Sequence, residues 1–321
     1  MGGRRVAVLV VTYDHADEID ACLDAVLAQE GVEPEVVVCD NASSDGTAEL
    51  VAARGGVRLL AQERNLGFAA GMNAAFAATS ADLVLLLNPD CVLDPGALLA
   101  LVAHLEARPR AALAAAALRN ADGTPQEFAR RDVRALGALK TLTEVGRRLD
   151  ERLAGGRWLA HRRYADLWPH AQRAPVAVDC PAAACVLARR EVLEPAPFDE
   201  SFPLFFNDAE LCRRVRAAGW AIEVVPSAHA AHGYGTSLRR LDDARRRAEW
   251  VASLVRYGAA WPPASRALLV SGLVADALAG AALEKAGRGR PDTGALWRGT
   301  LGGLGLPGGT EPWLSPPALR R

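Results

Sequence analysis

Asp82-Leu-Val-Leu-Leu-Leu-Asn-Pro-Asp90 is the stretch that decides how this chain folds. One acid leads into five consecutive apolar residues, Leu83–Leu87, and the run closes on Asn88-Pro89-Asp90. Five apolar positions without alternation describe a strand buried on both faces, as in the middle of a parallel sheet. Pro89 has no N–H to give to a ladder and drives Asn88 away from helix, so the strand ends there. The Asp90 carboxylate is thereby carried to the C-terminal edge of a strand, where open α/β sheets bind their ligands. Asn-Pro and Pro-Asp also make ordinary turns, and taken by itself the stretch reads first as one.

Upstream, the pattern of strand and helix repeats. Val6–Val11 is a continuous apolar strand, and Asp17–Gln29 carries a helical stripe of Ile19, Cys22, Leu23, Val26 and Leu27. Glu35–Asp40 is a second buried strand, followed by a loop-forming cluster, Asn41–Gly46, in which Ser44 or Asp45 is placed to cap a helix running to about Arg54. Val57–Ala61 is a third strand, and Asn65–Ser80 is a glycine-containing loop entering an alanine-rich helix. Three strand–helix units feeding a further strand predict a parallel sheet with right-handed crossovers. The first strand is followed by Thr12-Tyr13-Asp14-His15-Ala16, without the glycines of a dinucleotide fingerprint, and no P-loop occurs anywhere. The strand ends carry acids and amides instead: Asp14, Asp40, Asn41, Asp45, Asn65, Asn88 and Asp90.

Downstream, residues 111–130 contain another apolar strand and a turn at Asn120–Gly123, and Val176–Arg189 resumes apolar character. Phe205–Trp220 is an amphipathic helix closed by Gly219, with Asn207 and Glu210 spaced as a capping box. Asp208 falls in its first turn, where the helix macrodipole favours an ionised carboxylate. Ala221–Val225 reads as a strand, and Ser227–Ser237 as a glycine-rich loop carrying His229 and His232. Residues 239–290 read as helical. Ala264–Ala286 is apolar but interrupted by Asp276 and polar ends, which fits a packing or membrane-surface helix better than a span. Residues 287–321, rich in Gly and Pro, read as irregular.

With 321 residues, half of them hydrophobic, the chain has material for one large domain or two. Six scattered cysteines form no CxxC pair and read as reduced, buried side chains. The opening MGGRRVAVLVVTYD lacks a small-residue cleavage site and reads as a first strand, which favours the cytoplasm. The net charge of −1 conceals an asymmetry: residues 1–127 carry −10, 128–173 carry +6, 174–238 carry −3 and 239–321 carry +6. An acidic body suits a cation, and the basic segments suit an anionic partner or simple solvation. Trp158, Tyr164 and Trp168 stand among the arginines of the first basic segment, but without any nucleic-acid motif no nucleic-acid partner is expected.

Six motifs in order make the chain resemble glycosyltransferase family 2, in its rhamnosyltransferase-like branch. They are VVTYD (Val10–Asp14), VVVCDNASSDGT (Val36–Thr47), NLGFAAGMN (Asn65–Asn73), LLLNPD (Leu85–Asp90), FDESFPLFFNDAEL (Phe198–Leu211) and HGYGTS (His232–Ser237). The similarity runs over roughly residues 4–240.

This resemblance implies an α/β GT-A fold, a mostly parallel nucleotide-binding sheet flanked by helices. Residues 1–240 would be catalytic, with a donor half in 1–127 and an acceptor half in 128–240, and 241–321 would be a helical extension. It implies an inverting transfer from a dTDP- or UDP-type sugar nucleotide, with Mg²⁺ or Mn²⁺, to a glycan or a polyprenyl-diphosphate-linked acceptor. The alternative is a non-catalytic nucleotide-sugar-binding protein of the same fold. Asp90 and His232 would hold the metal, with Asn88 opening a DxD-like triplet. Tyr13 would pack on the base, Asp40 would accept from it, and Asp45, Asn65 and Gly67 would line the nucleotide-sugar pocket. Asp208 would be the general base. The expected setting is cytoplasmic, with peripheral contact at the inner face of the plasma membrane through the basic segments. Three positions depart from the family pattern: Asn207 replaces an acid, Asp14 an asparagine and Ala183 a glycine.

Overall fold

The computed structural model describes residues 4–126, 129–143, 173–233, 242–288 and 292–312. Trp158, Tyr164, Trp168 and the Tyr234–Ser237 part of the last motif lie outside them. The chain divides into two compact units. One comprises Met1–Arg131, Asp166–Glu200 and Asn207–Ser237; the other comprises Asp132–Ala165, Ser201–Phe206 and Leu238–Arg321. Two inner segments, 132–165 and 201–206, thus cluster with the C-terminal part of the chain.

The first unit runs β1 (Arg4–Thr12), α1 (Ile19–Leu27), β2 (Val32–Asp40), α2 (Thr47–Ala52), β3 (Val57–Ala61), α3 (Phe68–Ala77), β4 (Leu83–Leu87), β5 (Cys91–Leu93), α4 (Ala97–Ala107), β6 (Ala111–Arg119) and β7 (Ala129–Arg130). After α5 (Ala135–Leu142) of the other unit it resumes with β8 (Val176–Ala177), β9 (Cys180–Pro181), β10 (Cys185–Arg189), the single turn α6 (Arg190–Leu193), α7 (Asn207–Ala217) and β11 (Ala221–His232). The main sheet has the order β3-β2-β1-β4-β10-β6-β11-β5, with β8 beside β11. β3, β2, β1 and β4 are parallel neighbours, as the three strand–helix units predict. β10 enters antiparallel between β4 and β6, β11 runs parallel to β6, and β5 closes antiparallel on β11. This is the mixed, helix-flanked sheet of a GT-A fold.

The core lies where the continuous apolar runs are. All five residues of β4 are buried, as are Val6–Val11 of β1. Each Val or Leu side chain among them contributes roughly 1.5–3 kcal/mol of burial free energy. α3 lies close on β1: a Cβ at Gly71 would stand 3.0 Å from Val11 Cγ1 and 3.3 Å from Asn41 Nδ2, so any larger residue would press on both side chains. All six cysteines are free and buried.

Three local expectations need correction. β11 does not stop at Val225 but continues to His232, so the histidines stand on a strand rather than in a loop. Its ladder with β6 slips between Val225 and His229, and Pro226 sits in that irregularity, where no ladder N–H is needed. Ser44 and Asp45 do not take the N-cap position of α2, which falls to Gly46 in a left-handed conformation, although Asp45 Oδ1 accepts from the first helical N–H, that of Thr47, at 3.1 Å. The capping box of α7 is not formed: Asn207 Oδ1 accepts from Asp208 N–H at 2.7 Å, and both Glu210 carboxylate oxygens accept from Arg214 Nε–H at 2.9 Å.

The second unit contains α5, α8 (Asp243–Tyr257), α9 (Pro263–Lys285) and α10 (Thr293–Gly303). α10 corrects the expectation that residues 287–321 are irregular. Its glycines serve close helix packing: a Cβ would fall 2.4 Å from the Ala244 carbonyl at Gly299 and 2.6 Å from the Ala248 carbonyl at Gly303. α9 is long and apolar enough to cross a membrane by length and composition. It nevertheless turns Leu269, Leu273, Asp276 and Ala277 inward, and Asp276 pairs with Arg247 of α8 at 3.8 Å. Phe206 packs against Trp250 and Tyr257, each at 5.4 Å between ring centroids.

Candidate active site

The site is built at the C-terminal ends of the parallel strands. β4 delivers Asn88 and Asp90, and Asn88 N–H is fixed by the Ala184 carbonyl at 2.9 Å, just before β10. Cys91 opens β5 and lies opposite His232 in the β5–β11 ladder, while Gly233 N–H donates to the Asp90 carbonyl at 2.9 Å. This register sets His232 Nε2 3.3 Å from Asp90 Oδ1, with both side chains only 7% exposed. Asn88 Nδ2 is 3.2 Å from the same ring nitrogen. The alternating burial of Ala228, Ala230 and His232 shows why the ring faces inward while His229 does not. Burial alone would raise the Asp90 carboxyl. The neighbouring His232 ring, helped by His15, outweighs it and holds the group below its ordinary value.

The ends of β1 and β2 form a second cluster. Thr12 pairs with Asp40 in register and donates to Asp40 Oδ1 at 2.8 Å; Ser43 N–H donates to Oδ2 at 2.9 Å. Asp14 has φ +57, a left-handed conformation that Asn and Asp tolerate best, so either residue serves at this position. Its Oδ1 accepts from Ser44 N–H at 2.6 Å. Asp45 accepts from Ala16 N–H at 3.0 Å and Thr47 N–H at 3.1 Å, tying the loop after β1 to the start of α2. Tyr13, half-buried, lies between these anchors, with its N–H donating to His15 Nδ1 at 3.1 Å.

Asn65 Oδ1 accepts from Gly67 N–H at 2.8 Å, and the Gly67 carbonyl accepts from Asn41 Nδ2 at 3.0 Å. Gly67 has φ +89 and ψ 164, a region essentially confined to glycine. Asp208 is half-buried in the first turn of α7, and its Oδ1 accepts from Ala209 N–H at 2.7 Å. The segment before α7 is clamped from α3: Asn73 Nδ2 donates to the Phe198 carbonyl at 2.9 Å, and Phe198 N–H donates to Asn73 Oδ1 at 3.0 Å. The structure thus joins Asn88, Asp90 and His232 in one group and Asp40 and Asp45 in a loop cluster beside Tyr13. Asn65 and Gly67 share one turn, and Asp208 occupies a helix start of its own. Ala183 is half-buried one residue before Ala184, the partner of Asn88.

Sequence reasoning missed three groups. His15 is buried; burial lowers its pKa, while Asp90, Asp45 and Asp40 pull it upward, so the ring lies within their field. Its position directly after Tyr13-Asp14 was the available signal. Glu18 has its carboxyl raised by burial and then by Asp17 and Asp90, and its Oε2 is buried without a hydrogen-bond partner. Gln126 Oε1 stands 2.7 Å from His232 Nδ1, a contact between residues 106 apart that no local pattern announces.

Among the described residues no group of three or more His, Cys, Asp and Glu side chains gathers as a metal cage. The set at β4 is smaller: one ionised carboxylate, one imidazole and one amide. That set fits a hard divalent cation that keeps open positions for phosphate oxygens and water, as Mg²⁺ and Mn²⁺ do.

Comparison with known proteins agrees with this architecture. The family model described as glycosyl transferase family 2 matches residues 7–166. An N-acetylglucosaminyl-diphospho-decaprenol L-rhamnosyltransferase of Mycobacterium tuberculosis is 28% identical over 247 residues, covering 71% of this chain and 77% of the relative. The succinoglycan biosynthesis protein ExoO of Rhizobium meliloti is 38% identical over 104 residues, 32% of this chain and 30% of that protein. Among solved structures, the mannosyltransferase PcManGT from Pyrobaculum calidifontis, in complex with GDP-Man and Mn²⁺, superposes with a TM-score of 0.54 at 20% identity. The match covers 92% of this chain and 78% of that one. At that identity the likeness speaks to the fold alone.

Proposed function

We propose that this chain, which belongs to glycosyl transferase family 2, is a metal-dependent, inverting hexosyltransferase that moves rhamnose or a related sugar from a dTDP- or UDP-linked donor to a glycan or polyprenyl-diphosphate-linked acceptor. The observation that carries it is the buried Asn88–Asp90–His232 group at the end of β4. A divalent cation bound there would neutralise charge growing on the diphosphate as it leaves.

The other roles follow from position. Tyr13 packs on the base, and Asp40, pre-aligned by Thr12 and Ser43, accepts from its edge. Asp45, Asn65 and Gly67 shape the remaining donor pocket. Asp208, with its carboxylate at the positive end of α7, takes the proton from an acceptor hydroxyl attacking the anomeric carbon from the face opposite the leaving group. Attack from that face inverts the configuration.

A lipid-linked acceptor places the work at the cytoplasmic face of a membrane. The mycobacterial relative is named for such an acceptor. On α9, Leu268 and Leu278 are exposed opposite the buried face, and Arg266 and Lys285 flank the apolar stretch. That arrangement suits a helix lying on an anionic surface rather than spanning it.

The decisive experiment is a thermal-shift screen of nucleotide sugars in the presence of Mn²⁺. The true donor stabilises the protein by mass action, and the others leave the midpoint unmoved. A screen in which no sugar nucleotide shifts the midpoint would overturn the assignment.

A further inference from the structure

Gln126 is a buried polar side chain with no part in the reaction described so far, and its amide faces the ring of His232. Its orientation is fixed by chemistry. Nε2 lies 3.2 Å from the His232 main-chain carbonyl and 3.0 Å from Asn120 Oδ1. A backbone carbonyl only accepts, so the amide nitrogen must face it, and Oε1 is left facing His232 Nδ1 at 2.7 Å. An amide oxygen also only accepts. Nδ1 must therefore carry the hydrogen.

The consequence falls on the other side of the ring. With its proton on Nδ1, a neutral imidazole presents an unprotonated Nε2, the atom 3.3 Å from Asp90 Oδ1 and 3.2 Å from Asn88 Nδ2. We propose that Gln126 is a positioning residue, which locks His232 in the Nδ1–H tautomer so that its Nε2 lone pair joins the Asp90 carboxylate in holding a divalent cation. The same amide grips the backbone of the residue whose ring it orients, so ring and strand end are fixed together. This rests on the metal reading above; the tautomer itself does not, and the two are tested separately.

The tautomer is read from long-range ¹H–¹⁵N correlation spectra of metal-free protein at alkaline pH, with the His232 signals assigned from the His232→Gln variant. The expected pattern has the proton on Nδ1; a ring protonated on Nε2 overturns the proposal. Mn²⁺ binding is then measured by the loss of free-ion EPR signal. Gln126→Met, close in volume but without an acceptor, is expected to weaken Mn²⁺ binding about 10–100-fold, as loss of a ligand-orienting partner does. Gln126→Glu keeps an acceptor toward Nδ1, gives up both amide N–H donors, and is expected to bind Mn²⁺ close to wild type. A purely structural role predicts that both variants weaken binding alike, and that result overturns the proposal. Should the Met variant not fold, the wild-type spectrum and the Glu variant still decide. Wild-type protein that takes up no Mn²⁺ would sink the metal reading, leaving the spectrum to judge Gln126's hold on the ring.

Discussion

His232 lies directly across the β5–β11 ladder from Cys91, and this register brings its Nε2 within 3.3 Å of Asp90 Oδ1 although the two residues are distant in sequence. Asp90 itself is set by the abrupt end of β4 and by the hydrogen bond from Asn88 N–H to Ala184. Two strands of opposite direction thus converge on one carboxylate. Removing that carboxylate should cost function rather than fold, because the surrounding ladders use backbone groups. Asp90→Ala is expected to keep the wild-type circular dichroism spectrum and lose sugar transfer by at least about 100-fold, with EDTA treatment of the wild-type protein giving the same loss and Mn²⁺ or Mg²⁺ restoring it. Activity that survives EDTA would remove the metal from the mechanism.

Asp208 offers a separate test. Its carboxylate occupies the first turn of α7 and already accepts from Ala209 N–H at 2.7 Å, a bond that an amide oxygen can retain. Asp208→Asn should therefore leave donor binding intact while turnover falls about 100-fold or more, the low end for a lost general base. Donor affinity from calorimetry and turnover from product formation separate the two effects. Near-normal turnover in the variant rules Asp208 out as the base.

Gly67 makes a prediction about stability. With φ +89 and ψ 164 it occupies backbone space that a side chain strains, and its N–H and carbonyl are tied to Asn65 and Asn41. Gly67→Ala should cost about 1–3 kcal/mol in urea unfolding. A variant as stable as wild type would show that this loop relaxes freely and that Gly67 matters for the ligand alone.

What the sequence disclosed and what it concealed divide along physical lines. Leu83–Leu87 and Val6–Val11 were legible because a strand buried on both faces has no polar positions to confuse its period. The continuation of β11 was hidden by Pro226, which a strand accepts only where the ladder is irregular. α10 was hidden by its own glycines, which weaken an isolated helix but permit the close approach of Gly299 and Gly303 to α8. Asp90 and His232 were singled out through motif order, whereas their contact, and Gln126 behind it, depends on the β5–β11 register. No local pattern encodes a pairing between residues so far apart.

α9 carries the last prediction. Its buried face uses Leu269, Leu273 and the Asp276–Arg247 pair, so the helix is held by its neighbours in the second unit. Its exposed face has Leu268 at 48% and Leu278 at 63% exposure, two large apolar side chains turned to solvent. Burying the exposed part of both in a lipid interface would contribute about half of the roughly 1.5–3 kcal/mol of a full leucine burial each, and basic residues near an anionic leaflet add about 1 kcal/mol apiece. The protein should therefore float with vesicles containing anionic lipid, less so at high salt. Leu268→Ser combined with Leu278→Ser should release it without lowering its melting temperature appreciably, because neither side chain is part of the packed face. Salt-insensitive flotation, or flotation unchanged in the double variant, would assign the membrane contact to another surface.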